Sequence, residues 1–369
     1  MKRKVSIYVR NQYITPSSYY RIIQYTNDFE QKVSIRNIAP SKIYNLHLNS
    51  DKKKLSGKLL EFVYYLVMLL RVSFFVLADL IIRPDFVILS KTFIPRYCPN
   101  YLCLLLNVLT SNSIFYWDFD DYIFDSGEIV QKQAKLLMKN SNRIIVTNNF
   151  LKSKIDLEYR DKVLLLPTTD GDLQDYNRLE LLKKRKDAFE NDIRLVWVAT
   201  AGNIPHLVEI IGALDEAAKV IDKLYSKTLI LTVVCNKPLV HETHNLKIIN
   251  IKWNREAAKE EIYKSHIGIM PLKYSEYSLG KGGFKLVQYI STGLPVIGSK
   301  VGYNEEIVNS SSGVLVDDNI DKSVWINAII KISRSFEVWE KYSNNASECW
   351  ENGFSYKHNL NVWKSLLNK

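Results

Sequence analysis

Short apolar runs recur along the first half of the chain, separated by stretches in which apolar residues fall at helical spacing. Residues 4–9 (KVSIYV) read as a buried first strand. The polar loop RNQYITPSS follows, with Ser17 or Ser18 placed to cap a helix running to about Phe29. Residues 86–89 (FVIL), after Pro84 and Asp85, predict a second strand. Residues 113–117 (SIFYW) predict a third, ending in Asp118, Asp120 and Asp121. Residues 143–146 (RIIV) predict a fourth, with Asn148 and Asn149 positioned to cap the next helix, and residues 163–166 (VLLL) predict a fifth, closed by Pro167. Buried strands alternating with helices imply a parallel, doubly wound sheet.

Between residues 171 and 191 the chain turns polar and carries the charge run LKKRKD, which marks a domain boundary. Alternation then restarts at residues 194–198 (RLVWV), 228–234, 246–251, 267–270 (IGIM), 295–298 (PVIG) and 313–316 (GVLV), and the tail is helical by pattern. A chain of 369 residues is long for one core and suits two α/β domains. The expected division is 1–175, 190–345 and a final helix, 346–369, that crosses back to the first domain.

Residues 57–82, GKLLEFVYYLVMLLRVSFFVLADLII, approach the length of a membrane span. Glu61, Arg71 and Asp79 interrupt the run, and it stands where the first sheet needs a crossover helix. A buried or interfacial helix is therefore expected rather than a span. The lysines at 52–54 suit contact with an anionic membrane surface.

The net charge of +11 favours polyanionic partners or reflects a lysine-rich solvated face. No nucleic-acid-binding motif accompanies it, and no nucleic-acid partner is expected. The four cysteines share no C-x-x-C spacing, so neither a zinc site nor a disulfide framework is suggested, in keeping with a reducing cytoplasm. The N-terminal MKRKVSIYV alternates like a strand, and no signal peptide is expected. His241 and His244 stand in a loop context without a third metal ligand, and no metal or other cofactor is expected.

The densest chemical signal lies between residues 253 and 308. Strand 267–270 ends at Pro271, a polar loop leads through the glycine turn GKGG at 280–283, and a helix starts near Phe284. A glycine-rich loop that opens a helix after a parallel strand is an anion site, because free backbone N–H groups and the helix dipole converge there. Gly282 and Gly283 let a diphosphate approach the backbone. Lys281 and Lys285 bring two cations to the same end of the helix, where an anionic partner relieves their clash with the dipole. A solvated lysine pair on an ordinary turn is the plainer reading.

This segment resembles the donor-binding region of retaining glycosyltransferases of family 4, in a branch with a GKxGFKxxQY motif. The resemblance rests on Trp253, Gly268-Ile-Met-Pro-Leu, Gly280-Lys, Gly283-Phe-Lys, Gln288-Tyr, Gly293, Pro295-Val, Ser299, Val301-Gly, Asn304 and Glu306-Ile-Val. Looser matches are Thr200-Ala-Gly-Asn after the 194–198 strand, Tyr20-Arg-Ile-Ile-Gln-Tyr, and Tyr116-Trp-Asp-Phe-Asp-Asp. The resemblance implies a GT-B architecture, two Rossmann-like domains facing across a cleft. It implies transfer of a sugar from a nucleoside-diphosphate sugar to a glycan or polyprenyl-linked acceptor in capsule, lipopolysaccharide or other cell-surface polysaccharide synthesis. It also implies retention of anomeric configuration, independence of metal, and work at the cytoplasmic face of the cell membrane.

In that frame Lys285, Lys281 and Asp121 are the candidate catalytic groups. Thr200, Gly202, Trp253, Gly282, Gly283, Phe284 and Gln288 would line the donor site. Arg21, Ser17, Asp118 and Asp120 would stand on the acceptor side, with the acids binding sugar hydroxyls or ordering the loop, and Arg21 facing phosphates or pairing with an acid. The wider family carries two glutamates where this chain has Gly280 and Gln288. That place in the sequence gives one further reading, a degenerate transferase that serves only as a binding subunit, and the shared two-domain fold gives another, a nucleoside-diphosphate-sugar 2-epimerase.

Overall fold

A computed structural model of the chain describes residues 2–51, 53–125, 127–174, 176–317 and 319–368. Lys52, the first of the three lysines ahead of the long apolar run, lies outside the described residues. The chain forms two compact units: Met1–Thr168 together with Asn359–Lys369, and Thr169–His358. The division falls at Thr168, just ahead of the polar stretch. That stretch itself holds a helix, Arg178–Phe189, capped by the Asn177 side chain.

The first unit is built on six parallel strands: β1 (Lys4–Val9), β2 (Lys32–Asn37), β3 (Phe86–Ser90), β4 (Ile114–Phe119), β5 (Arg143–Val146) and β6 (Val163–Leu165). Their order is β2-β1-β3-β4-β5-β6. β3 and the last five residues of β4 are buried, as their continuous apolar runs require for a sheet covered on both faces. β2 escaped the hydrophobic pattern. It is an edge strand reading KVSIRN, only half-buried, so its sequence lacks the apolar run of its neighbours.

The helix expected from Ser17 or Ser18 to Phe29 is shorter. It spans Pro16–Arg21, Ser17 lies within its first turn rather than at its cap, and a 3-10 turn, Ile23–Asp28, replaces the remainder. Proline at the first helical position sets this start. The helix Leu55–Ile82 covers one face of the sheet with Tyr64, Met68, Val72 and Val76, all in the core. At the other end of the chain, the Asn359 amide donates to the Pro167 carbonyl (2.7 Å) and the Trp363 indole to the Arg21 carbonyl (3.0 Å).

The second unit repeats the plan with β7 (Asp192–Ala199), β8 (Thr228–Cys235), β9 (Lys247–Lys252), β10 (Ile267–Met270), β11 (Val296–Ser299) and β12 (Gly313–Val316). All pair in parallel, in the order β12-β11-β10-β7-β8-β9. Counted from β7, this is the Rossmann order, whose direction of progression reverses between the first and fourth strands. The reversal point is the seam between β7 and β10, and ligands of such sheets bind outside the carboxyl ends of the strands at that seam.

The helix Phe284–Ser291 is held against β10 by one close approach. A Cβ at Gly268 would lie 2.2 Å from the Tyr289 ring, and the Tyr289 hydroxyl accepts the Val198 N–H from β7 (2.9 Å). Gly268→Ala is expected to lower unfolding stability by about 2 kcal/mol, since a rigid buried ring must move. Gly202→Ala, where an added Cβ meets open space, is expected to stay within about 0.5 kcal/mol of the parent. Denaturant unfolding of both variants checks the contrast, and equal stabilities would refute the packing argument.

Candidate functional site

At the β7–β10 seam the chain leaves β7 through Thr200 and a short turn, Ala201–Asn203, then enters the helix Ile204–Tyr225. The Asn236 side chain accepts from the Ala201 N–H (2.8 Å), and Thr200 Oγ1 accepts from the Asn203 amide (2.9 Å). Gly202 borders open space, so nothing in the protein requires glycine there. A ligand pressed against the backbone would.

The chain leaves β10 through Pro271 and Leu272. Leu272 is pinned on both backbone groups: its N–H donates to Ser299 Oγ (2.9 Å) and its carbonyl accepts from the Asn319 amide (2.8 Å). The short helix Glu276–Leu279 follows, capped by Ser275, and then the run Gly280 to Gly283. Gly283 sits at φ 59°, in the left-handed region that only glycine enters cheaply, and directly precedes the helix Phe284–Ser291. Its close contact with Ile307 leaves no room for a side chain. Gly282 is buried beside it, while Phe284 and Lys285 are half-buried in the first turn of the helix.

Lys281 ties the two loops together: its ammonium donates to Asn203 Oδ1 (2.8 Å) and lies over the Tyr277 ring. Next to it stands His206, in the first turn of the helix Ile204–Tyr225, a residue the sequence reading did not single out. Its Nδ1 accepts the Lys273 backbone N–H (3.0 Å), which leaves the proton of the neutral ring on Nε2. Burial lowers the His206 pKa, and Lys281, Lys273 and Lys285 lower it further against the pull of Glu209. Glu209 in turn pairs with the Lys273 ammonium (3.1 Å). The seam thus gathers three lysines, a neutral imidazole and the N-termini of two helices, an arrangement that attracts an anion from several directions.

Two expected donor residues are placed differently. Gln288, expected at a ribose hydroxyl, is buried and donates its amide to Asp170 (2.7 Å). Asp170 also accepts the Asp172 N–H, so Gln288 anchors the start of the second unit. Trp253 follows β9, two strands from β7, with its ring partly exposed.

In the first unit, the residues expected on the acceptor side separate into two groups. Arg21 and Asp118 are both buried and joined to each other: Nη2 to Oδ1 at 2.6 Å, and Nε to both carboxylate oxygens at 2.9 Å. Arg21 also donates to the Leu166 carbonyl and to Thr168 Oγ1, each at 3.0 Å. Of the alternatives open for them, pairing with an acid describes Arg21, and Asp118 presents no surface to an acceptor. Ser17 is half-buried in the helix Pro16–Arg21.

Asp120 and Asp121 form the second group, at the carboxyl end of β4. Both reach Lys91, at 3.1 and 2.7 Å, and Asp121 remains well exposed. Burial raises the Asp120 pKa, and the charge of Asp121 adds to the effect against Lys91. Lys91 follows β3 with φ 63°, a conformation uncommon for lysine and held by its N–H to the Asp118 carbonyl (2.7 Å). The sequence reading missed it. Its position just past a strand's carboxyl end was the available signal. Among the described residues, no group of three or more His, Cys, Asp or Glu side chains is placed to hold a metal ion.

No protein-family model matches the sequence, and no curated protein is significantly similar to it. Solved structures are similar along the full length of the chain. A glycosyltransferase from Rickettsia africae has a TM-score of 0.63 at 16% identity, with 99% of each chain covered. HepE from Anabaena, in complex with UDP and glucose, has a TM-score of 0.66 at 11% identity, with 100% of each covered. The sucrose-phosphate synthase of Thermosynechococcus elongatus has a TM-score of 0.62 at 10% identity, covering 100% of this chain and 98% of that one. At these identities the likeness is one of fold. With the two six-stranded parallel sheets, it establishes that the chain has the GT-B fold, two Rossmann-like α/β domains of the kind found in these glycosyltransferases.

Proposed function

We propose that the chain is a glycosyltransferase, of the retaining family-4 type, moving a sugar from a nucleoside-diphosphate sugar to a hydroxyl of a glycan or polyprenyl-linked acceptor. The observation that carries this reading is the seam between β7 and β10, where Lys273, Lys281 and Lys285 surround His206 at two helix N-termini. A diphosphate fits that chemistry. As the bond to the anomeric carbon breaks, negative charge builds on the departing phosphate. Preorganised ammonium groups, helix amides and the His206 Nε2–H would stabilise it more than they stabilise the bound donor. The imidazole is kept neutral by its setting, so it serves as a donor beside the lysines without adding a fourth repelling cation. The departing phosphate oxygen accepts the acceptor's proton in this reading, and no protein nucleophile is needed. Asp121, exposed beside Lys91, is the remaining acid available to orient an acceptor hydroxyl. The fold likeness to a structure holding UDP and glucose supports the donor class. The biological setting in this reading is capsule or lipopolysaccharide assembly at the cytoplasmic face of the cell membrane.

Gln288 engaged with Asp170, and Gly280 where relatives hold an acid, favour one second reading, a donor-binding subunit without turnover. A single assay separates them. Uridine-, guanosine- and other nucleoside-diphosphate sugars are screened by thermal shift. The stabilising donor is then incubated with glycan and polyprenyl-linked acceptors, with and without EDTA. The transferase releases nucleoside diphosphate only when acceptor is present, and EDTA leaves the rate within about twofold, because lysines and helix amides supply the charge that a metal otherwise brings. Donor binding with no release supports the subunit reading. Loss of turnover in EDTA, restored by Mg²⁺ or Mn²⁺, overturns the metal-independent mechanism.

A further inference from the structure

The helix Leu55–Ile82 is apolar on two opposite sides, and only one of them is used by the fold. Tyr64, Met68, Val72 and Val76 face the core of the first unit. On the outer side, Leu59, Phe62, Leu66, Leu70, Phe74 and Leu77 recur at intervals of three and four and are all exposed, Phe62 and Phe74 by 65% and 67%. A surface helix of a water-soluble domain normally turns a polar face outward. Here the helix's interior charges are all directed away from the outer stripe. Asp79 accepts from the Tyr8 hydroxyl (2.7 Å) and pairs with Arg36, Arg71 donates to the Asn37 carbonyl (2.9 Å), and Glu61 pairs with Arg96 (2.7 Å). The stripe therefore runs about 27 Å without an ionisable group.

Two features say what covers it. Exposed cations stand at its ends: Lys53, Lys54 and Lys58 at the start and Arg83 at the finish. Beside it, the helix Asn100–Ser111 adds exposed Tyr101, Leu104 and Val108, with the Tyr101 hydroxyl 3.1 Å from Ser73 Oγ. An apolar strip with amphipathic tyrosine at its side and cations at its ends matches a lipid surface, with acyl chains under the strip and anionic headgroups around it. The helix is long and apolar enough to cross a bilayer. Its inner side, however, is the core of an α/β domain, so it lies along the surface rather than through it.

We propose that the outer stripe of Leu55–Ile82 inserts in the plane of an anionic membrane and docks the first unit there. The proposal does not rest on sugar transfer, and its test involves no turnover. The full chain is sedimented with vesicles of phosphatidylcholine mixed with phosphatidylglycerol, and with phosphatidylcholine alone, at low and high salt. Most of the protein is expected to pellet with the anionic vesicles at low salt. Neutral lipid or high salt lowers the bound fraction, because the cation contribution is screened. The triple variant Phe62→Ser/Leu70→Ser/Phe74→Ser should bind at least about tenfold more weakly, since it removes most of the inserted area. A second variant, Lys53→Glu/Lys54→Glu, should lose the anionic preference while retaining weak binding to neutral lipid. All five residues are exposed, and unchanged thermal midpoints confirm that both variants fold. The proposal is overturned if the parent stays in the supernatant, or if the triple variant binds as well as the parent. It is also overturned if the parent is a dimer without lipid and the triple variant a monomer, which makes a second copy of the chain the occupant.

Discussion

Lys285→Ala is expected to lower kcat by about a hundredfold, on the order of 3 kcal/mol of lost transition-state stabilisation, while the protein stays folded. Lys285 is the second residue of the helix Phe284–Ser291, immediately past the left-handed turn at Gly283. A cation at that point works against the helix dipole and against Lys281 and Lys273 nearby, all three of which depress the His206 pKa. An arrangement unfavourable in the free protein becomes favourable when a diphosphate enters, and most favourable when the leaving phosphate gains its second charge. The loss should therefore fall on kcat more than on donor affinity. Lys281 is in a different position. Its ammonium already donates to Asn203 and holds the loops after β7 and β10 together, so Lys281→Ala should weaken donor binding as well as turnover. Lys285→Arg should restore part of the rate, because the charge survives but the compact geometry does not. Steady-state kinetics with the donor identified by thermal shift provide the check. If Lys285→Ala keeps parental kcat and Lys281→Ala abolishes it, the roles are exchanged. If both variants are normal, the diphosphate binds elsewhere.

Asp118→Ala is expected to destabilise the first unit by about 3–5 kcal/mol, because it leaves the Arg21 guanidinium buried without its acid. In a unit of this size, that lowers the midpoint of its thermal transition by roughly 10 °C. The pair joins the helix Pro16–Arg21 to the end of β4, and through Leu166 and Thr168 to the segment after β6. The double variant Arg21→Met/Asp118→Leu should recover much of the loss, since removing both charges removes the uncompensated one as well. Differential scanning calorimetry on the three variants checks this. An Asp118→Ala protein of normal stability but lost turnover would return the pair to the acceptor site.

The same elements show how far sequence pattern reaches. Continuous apolar runs identified β1, β3, β4 and the inner strands of the second sheet, β7, β8, β10 and β11, because a strand buried on both faces has few polar positions to obscure it. β2 was hidden because an edge strand needs no such run. The turn after β10 was legible because its parts are local: a strand end, a glycine for a left-handed turn and a helix start, all within residues 267–285. The cap at Asn148 is local for the same reason, accepting a backbone N–H three residues on.

Partnerships across long chain separations were not legible. Arg21 meets Asp118 over 97 positions, Lys281 meets Asn203 over 78, and Gln288 meets Asp170 over 118. Side-chain type and spacing are compatible with many partners at such distances. By itself the sequence determined the two-sheet α/β plan, the glycine turn that opens the helix Phe284–Ser291 and the long apolar helix, since each is written in neighbouring residues. The tertiary structure decided that β10 returns beside β7, which brings His206 to the lysines, that Gln288 serves Asp170, and that the apolar helix turns only one of its two apolar sides inward. These depend on strand order and packing, which bring together residues that no local pattern relates.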